Sequence, residues 1–149
     1  MRIYNHIVCA TDFSSCGEFA CHRAVDLASQ FDSLLTFLNV VENFPEDRSN
    51  EFIAPEHIDP AIYRDTDAHK DLAELAGRFD YKDIKQQVLF SMDPAWHDIV
   101  HYAKQINADL IVLGSHGKHG IASPLGSTAS GVVTHAPCDV LAVRAQTDK

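Results

Sequence analysis

The stretch that most constrains this chain is Leu110-Ile111-Val112-Leu113-Gly114 together with the residues that follow it. An apolar run stops at a glycine, a polar loop holds Gly117 and Gly120, and Gly126-Ser127 opens a helical pattern. Strand, glycine loop and helix start in that order form the layout of an anion site. Glycine lets the backbone approach a phosphate closely, and the first turn of a helix carries unpaired N–H groups and partial positive charge. Ser127 is placed to cap that helix and to offer its hydroxyl to a phosphate oxygen. The competing account is a plain strand–helix connection that uses glycine only to fold back. Neither common phosphate motif is present. A Walker loop needs lysine between the last glycine and the hydroxyl residue, and a dinucleotide fingerprint follows a first strand, not a late one. A backbone cradle with few fixed cations suits binding better than fast phosphoryl transfer.

The rest of the chain alternates strands with helices. His6-Ile7-Val8-Cys9-Ala10 reads as a buried parallel strand. Ser15-Cys16-Gly17-Glu18 fits a capping box, and Ala20, Ala24, Leu27 and Phe31 repeat at helical spacing after it. Leu34 to Val41 is a second strand, and Gln86 to Phe90 a weaker third. Between them, residues 43–60 hold three prolines and many charges and read as a loop, followed by a helix from Pro60 to about Phe79. Asp93-Pro94 reads as an N-cap with proline in the first helical position, ahead of Ile99, Ala103 and Ile106. A last helix turns Val132 and Val133 inward, and Cys138 to Val143 is the final strand. This alternation predicts one α/β domain over residues 1–149: an open parallel sheet with helices on both faces and right-handed crossovers.

Ligands in such sheets sit beyond the carboxyl ends of the strands, where the strand order reverses. A reversal between strands one and four places Asp12 beside Gly114. Asp12 then has two readings, a cap for the first helix or an acceptor for ribose hydroxyls, and one carboxylate can serve both. The net charge of −9 disfavours nucleic acid and anionic membranes. No apolar run approaches the ~20 residues needed to span a bilayer, and Met1 to His6 is too polar for a signal peptide, so a cytoplasmic location is expected. The four cysteines include no C-x-x-C pair, and Cys9 and Cys138 are expected as buried reduced thiols. His97 and His101 stand at i, i+4 without the glutamate or third ligand of a zinc-protease helix, and read as a solvated helix face. Trp96 reads as packing. No nucleophile elbow supports a hydrolase, and only one acid follows the first strand where a phospho-receiver would have a pair.

Taken together, Thr11-Asp12-Phe13-Ser14, Gly114-Ser115-His116-Gly117, Gly126-Ser127 and the terminal Cys138-Asp139-Val140-Leu141-Ala142-Val143 resemble the universal stress proteins over essentially the whole chain. The resemblance implies a Rossmann-like sheet of five parallel strands in the order 3-2-1-4-5 and a homodimer. It also implies ATP binding, because the chain carries the glycine signature of the binding class. That signature runs G-x2-G-x9-G-S/T, whereas eight residues separate Gly117 from Gly126 here and Gly120 lies among them. Carried over by position, Asp12 would hold the ribose, and Val40 would meet adenine through its backbone. Gly114, Ser115, His116, Gly117, Lys118, Gly126, Ser127 and Thr128 would surround the phosphates, with Mg2+ arriving on the nucleotide. Val140 to Val143, an apolar edge strand, would pair with a second copy. The expected function is an ATP-binding regulatory stress protein with at most slow hydrolysis. The alternative is a dimeric protein-interaction module with a vestigial pocket.

Overall fold

The computed structural model describes residues 3–42, 60–117 and 125–145. Its central strands are short and apolar on both faces, which requires helices on both sides of the sheet. In chain order the elements are β1 (His6–Ala10), α1 (Ser15–Phe31), β2 (Leu34–Glu42), α2 (Pro60–Gly77), β3 (Lys85–Ser91), α3 (Ala95–Gln105), β4 (Leu110–Gly114), α4 (Ser127–His135) and β5 (Asp139–Val143). All neighbouring strands are parallel, in the order β3-β2-β1-β4-β5. The order reverses between β1 and β4, as expected. The loop read over 43–60 lies outside the described residues, except for Pro60, which opens α2.

The strand period of two divides the core cleanly. Ile7, Cys9, Leu35, Phe37, Leu110 and Val112 pack against α1 and α2; Val8, Ala10, Leu38, Ile111 and Leu113 pack against α3 and α4. Helix α1 meets the sheet through Ala20, Ala24 and Ala28, one turn apart and fully buried. Such small side chains let the helix lie close to the strands. Burying this much apolar surface at ~25 cal/mol per Å2 is the main favourable term in the fold. All four cysteines are free thiols. The Cys9 thiol donates to Cys21 Sγ at 3.6 Å, and that bond, with burial, pushes its pKa well up.

Four local readings need correction. The cap of α1 is Ser14, whose hydroxyl accepts from the Gly17 N–H at 3.1 Å; Glu18 turns away to pair with Arg78. The capping box was therefore read one residue late. Asp93 does not cap α3, because Ser91 Oγ takes its N–H and holds it in a local turn. Pro94 stands at the cap position, and the first helical amide, from Ala95, is bound by Glu42 Oε2 at 2.8 Å. Val133 is 51% exposed while Val132 is fully buried, since neighbours on a helix lie about 100° apart. Cys138 is only half-buried, because it precedes a strand on the open edge of the sheet.

Trp96, at the start of α3, packs over α4. A side chain on Gly131 would collide with its indole, and His135 stacks on it with ring centroids 4.4 Å apart. Gly131→Ala is expected to cost about 1–3 kcal/mol through this overpacking, read as a lower thermal midpoint. At the opposite end of the sheet, Asp109 Oδ2 accepts the N–H groups of Asn5 and His6, and His6 Nε2 lies 2.9 Å from Thr36 Oγ1. Burial, helped by Lys85 and opposed by Asp109, holds the His6 pKa below the ordinary histidine value. The fold therefore favours neutral His6. This contribution is complete above the unfolded pKa of about 6.5 and is lost as pH falls through that value toward the lowered folded pKa. Urea midpoints should fall between about pH 7.5 and 5.5 by more in the wild type than in His6→Gln. Equal falls would remove His6 from the acid response.

Candidate functional site

Beyond Ala10 the chain runs one residue further along β2, where the Thr11 N–H donates to the Leu38 carbonyl at 2.9 Å. It then turns sharply. Phe13 takes a left-handed φ of 65°, a conformation that costs a bulky residue about 1–3 kcal/mol. Two short bonds hold it there: Thr11 Oγ1 accepts from the Phe13 N–H and Asp12 Oδ1 from the Ser14 N–H, each at 3.0 Å. Asp12 thus helps shape the entry to α1, although Ser14 is the cap. Its second oxygen points across the β1–β4 boundary, where a Cβ on Gly117 would sit 2.5 Å from Oδ2.

The glycines of the late loop are required by proximity. No described glycine has a positive φ. A Cβ on Gly114 would lie 3.0 Å from Cys16 Sγ, and one on Gly126 would lie 3.1 Å from the Ser115 carbonyl and 3.2 Å from His116 Cα. The Gly126 N–H donates to that same carbonyl at 2.7 Å, which ties the start of α4 to the end of β4. Gly126, extended at φ −67° and ψ 165°, is the residue that caps α4; Ser127 is the first helical residue and does not supply a side-chain cap.

These turns enclose a cavity of about 680 Å3 at the carboxyl ends of β1, β2 and β4. Its wall includes Asp12, Val40, Gly114, His116, Gly117, Gly126, Ser127 and Thr128. Ser115 is buried behind this wall; its hydroxyl lies 3.2 Å from His116 Nδ1 and its N–H donates to the Val143 carbonyl. Lys118 lies outside the described residues. Since the Leu38 carbonyl faces β1, the strand period directs the Val40 N–H and C=O the same way, past the end of β1 and into the cavity.

Sequence reasoning missed Asn39 and Glu42, which also line the cavity. The Asn39 amide donates to the Thr11 carbonyl at 2.8 Å and fixes the turn out of β1. Glu42 lies two residues beyond Val40 on the same face, so the strand period would have found it had β2 been read past Val41. Among the described residues, no lysine or arginine lines the cavity, whereas two carboxylates, Asp12 and Glu42, do.

A profile described as the Universal stress protein family matches residues 3–144. Universal stress protein A homolog 1 of Coxiella burnetii is 33% identical over 140 residues, covering 94% of this chain and 96% of that protein. The solved structure of universal stress protein UspA from Lactobacillus plantarum matches with a TM-score of 0.71 and 28% identity, over 97% of this chain and 99% of that one. The crystal structure of a universal stress protein in complex with cAMP matches with a TM-score of 0.71 and 24% identity, over 96% and 98% of the two chains.

Proposed function

Because the chain belongs to the universal stress protein family, we propose that it is an ATP-binding regulatory stress-response protein that acts as a cytoplasmic homodimer. The observation that carries this reading is the cavity itself, with Asp12 on one wall, the start of α4 on another and the Val40 backbone on a third. A strand residue that offers N–H and C=O side by side matches the N1 acceptor and N6 donor of adenine, and meets guanine with the reverse polarity. Asp12 accepts the ribose hydroxyls. Gly114, Gly117, Gly126, Ser127 and Thr128 surround the phosphates, with His116 oriented from behind by Ser115, and Lys118 is a further phosphate contact in this reading. The two wall carboxylates disfavour bare triphosphate, so the nucleotide enters with Mg2+. No lysine or arginine stands among the described wall residues to stabilise charge in phosphoryl transfer, so any hydrolysis is expected to be slow. The family neighbour in complex with cAMP supports the adenine class.

Calorimetry with ATP and Mg2+ tests this reading, and no binding at millimolar nucleotide would remove it. Asp12→Ala should weaken binding by about 1–3 kcal/mol, with ATP preferred to GTP in the wild type. Gly117→Ala should do the same by pushing the Asp12 carboxylate aside. The shortened glycine loop favours a second reading, a dimeric interaction module with a vestigial pocket. Mass spectrometry of ligand released from denatured protein separates the two.

The dimer proposal rests on β5, which pairs only with β4 and leaves its other edge open. Val140, Leu141 and Ala142 are half-buried there. A two-fold axis at this edge, perpendicular to the strands, would join two β5 strands antiparallel and pair both rows of backbone groups. Val140→Lys and Ala142→Lys, made singly, should each shift the protein toward monomer in sedimentation at micromolar concentration. A wild type that sediments as a monomer would defeat the proposal.

A further inference from the structure

Where β3 ends and α3 begins, Asp93, His97 and Asp98 converge. His97 Nδ1 lies 3.8 Å from Asp93 Oδ2 and 3.5 Å from Asp98 Oδ1, and one donor atom from each of the three residues fits within 4.8 Å. These separations exceed the ~2.7–2.9 Å of a charge-assisted hydrogen bond between nitrogen and carboxylate. They fall close to the edge of a coordination polyhedron instead. Bonds of about 2.0–2.2 Å at tetrahedral angles set neighbouring donors about 3.3–3.6 Å apart.

The donors are held from below. Ser91, which is buried, donates its hydroxyl to Asp98 Oδ1 at 2.8 Å and accepts the Asp93 N–H at 2.9 Å. The His97 N–H donates to the Pro94 carbonyl at 3.0 Å, which places the ring over the same turn. Two carboxylates offset a 2+ charge. The imidazole nitrogen selects against magnesium and calcium, which take oxygen. None of the three residues lines the cavity. We propose that Asp93, His97 and Asp98 bind one divalent transition cation of the zinc class, with water completing its coordination.

The protein carries its own probe. Trp96 is the only tryptophan, and its ring centroid lies 5.8 Å from that of His97. Nickel(II), which is paramagnetic, is titrated into the full chain without nucleotide, so the outcome is independent of the ATP proposal. Saturable quenching of Trp96 at one equivalent is expected, reversed by zinc, which displaces nickel without quenching. His97→Gln and Asp98→Asn should each raise the nickel Kd by about tenfold or more, a loss typical for the groups that hold a metal in place. Circular dichroism confirms that the variants remain folded. Asp93→Asn, altering an exposed residue of the preceding turn, provides the same test if either helix variant unfolds. His135→Gln is the control, because that imidazole stacks on Trp96 and a metal held there would also quench it; the nickel Kd should be unchanged. The proposal is overturned if no saturable quenching occurs up to millimolar nickel. It is equally overturned if His135→Gln or His101→Gln abolishes quenching while His97→Gln retains it.

Discussion

Everything distinctive about this molecule depends on the burial of β1 between β2 and β4. Ile7, Val8 and Cys9 are fully buried, and the strand gains hydrogen bonds along both edges. A strand in that position must leave the sheet abruptly once its sequence turns polar, and Thr11-Asp12 is where it does. The same requirement draws the neighbouring chains past it. Strand β2 continues to Glu42 and the Gly126 N–H ties the start of α4 to the Ser115 carbonyl, so the end of β1 becomes the floor of a cavity. The cavity is thus a by-product of three strands that stop at different heights.

The glycines extend the same argument. Gly114, Gly117 and Gly126 have neighbours where a side chain would begin: the thiol and backbone of Cys16, the Asp12 carboxylate and the Ser115 carbonyl. Their backbones are ordinary in conformation. What they provide is thinness, which lets the chain at Gly114 and Gly117 lie against the start of α1 and β1's exit turn. The strain in this region sits on Phe13 instead, and the side chains flanking it hold that conformation in place.

The architecture could be read from the sequence because its signal is redundant. Runs such as Ile7-Val8-Cys9 and Leu110-Ile111-Val112-Leu113 are too apolar for any place but a covered parallel sheet, and the helices between them repeat at the correct interval. The cavity wall was legible where residue type constrains geometry, as with the glycines and Asp12. It was not legible where identity is incidental. Val40 was reached only through the family resemblance, since a backbone contact could come from any residue. Asn39 and Glu42 act through contacts with residues far away in the chain. The caps failed for a related reason: several serines and aspartates compete for each helix start, and the choice among Ser14, Ser15 and Asp12 depends on which turn the preceding strand permits. The convergence of Asp93, His97 and Asp98 was hidden because helical spacing drew attention to His97 and His101 and away from Asp93, which precedes the helix.

The Glu42 carboxylate gives the cavity a sense of direction. Two helix starts open toward it, those of α3 and α4, and each would attract negative charge. One is already satisfied from within, since Glu42 Oε2 holds the Ala95 amide. The protein has in effect plugged one of two equivalent sockets with a piece of itself. The positive end of α3 is thus offset by a carboxylate while that of α4 has none, so the cavity wall is electrostatically asymmetric toward an anion. A single side chain in a strand thereby converts a pair of electrostatic attractions into a polarity.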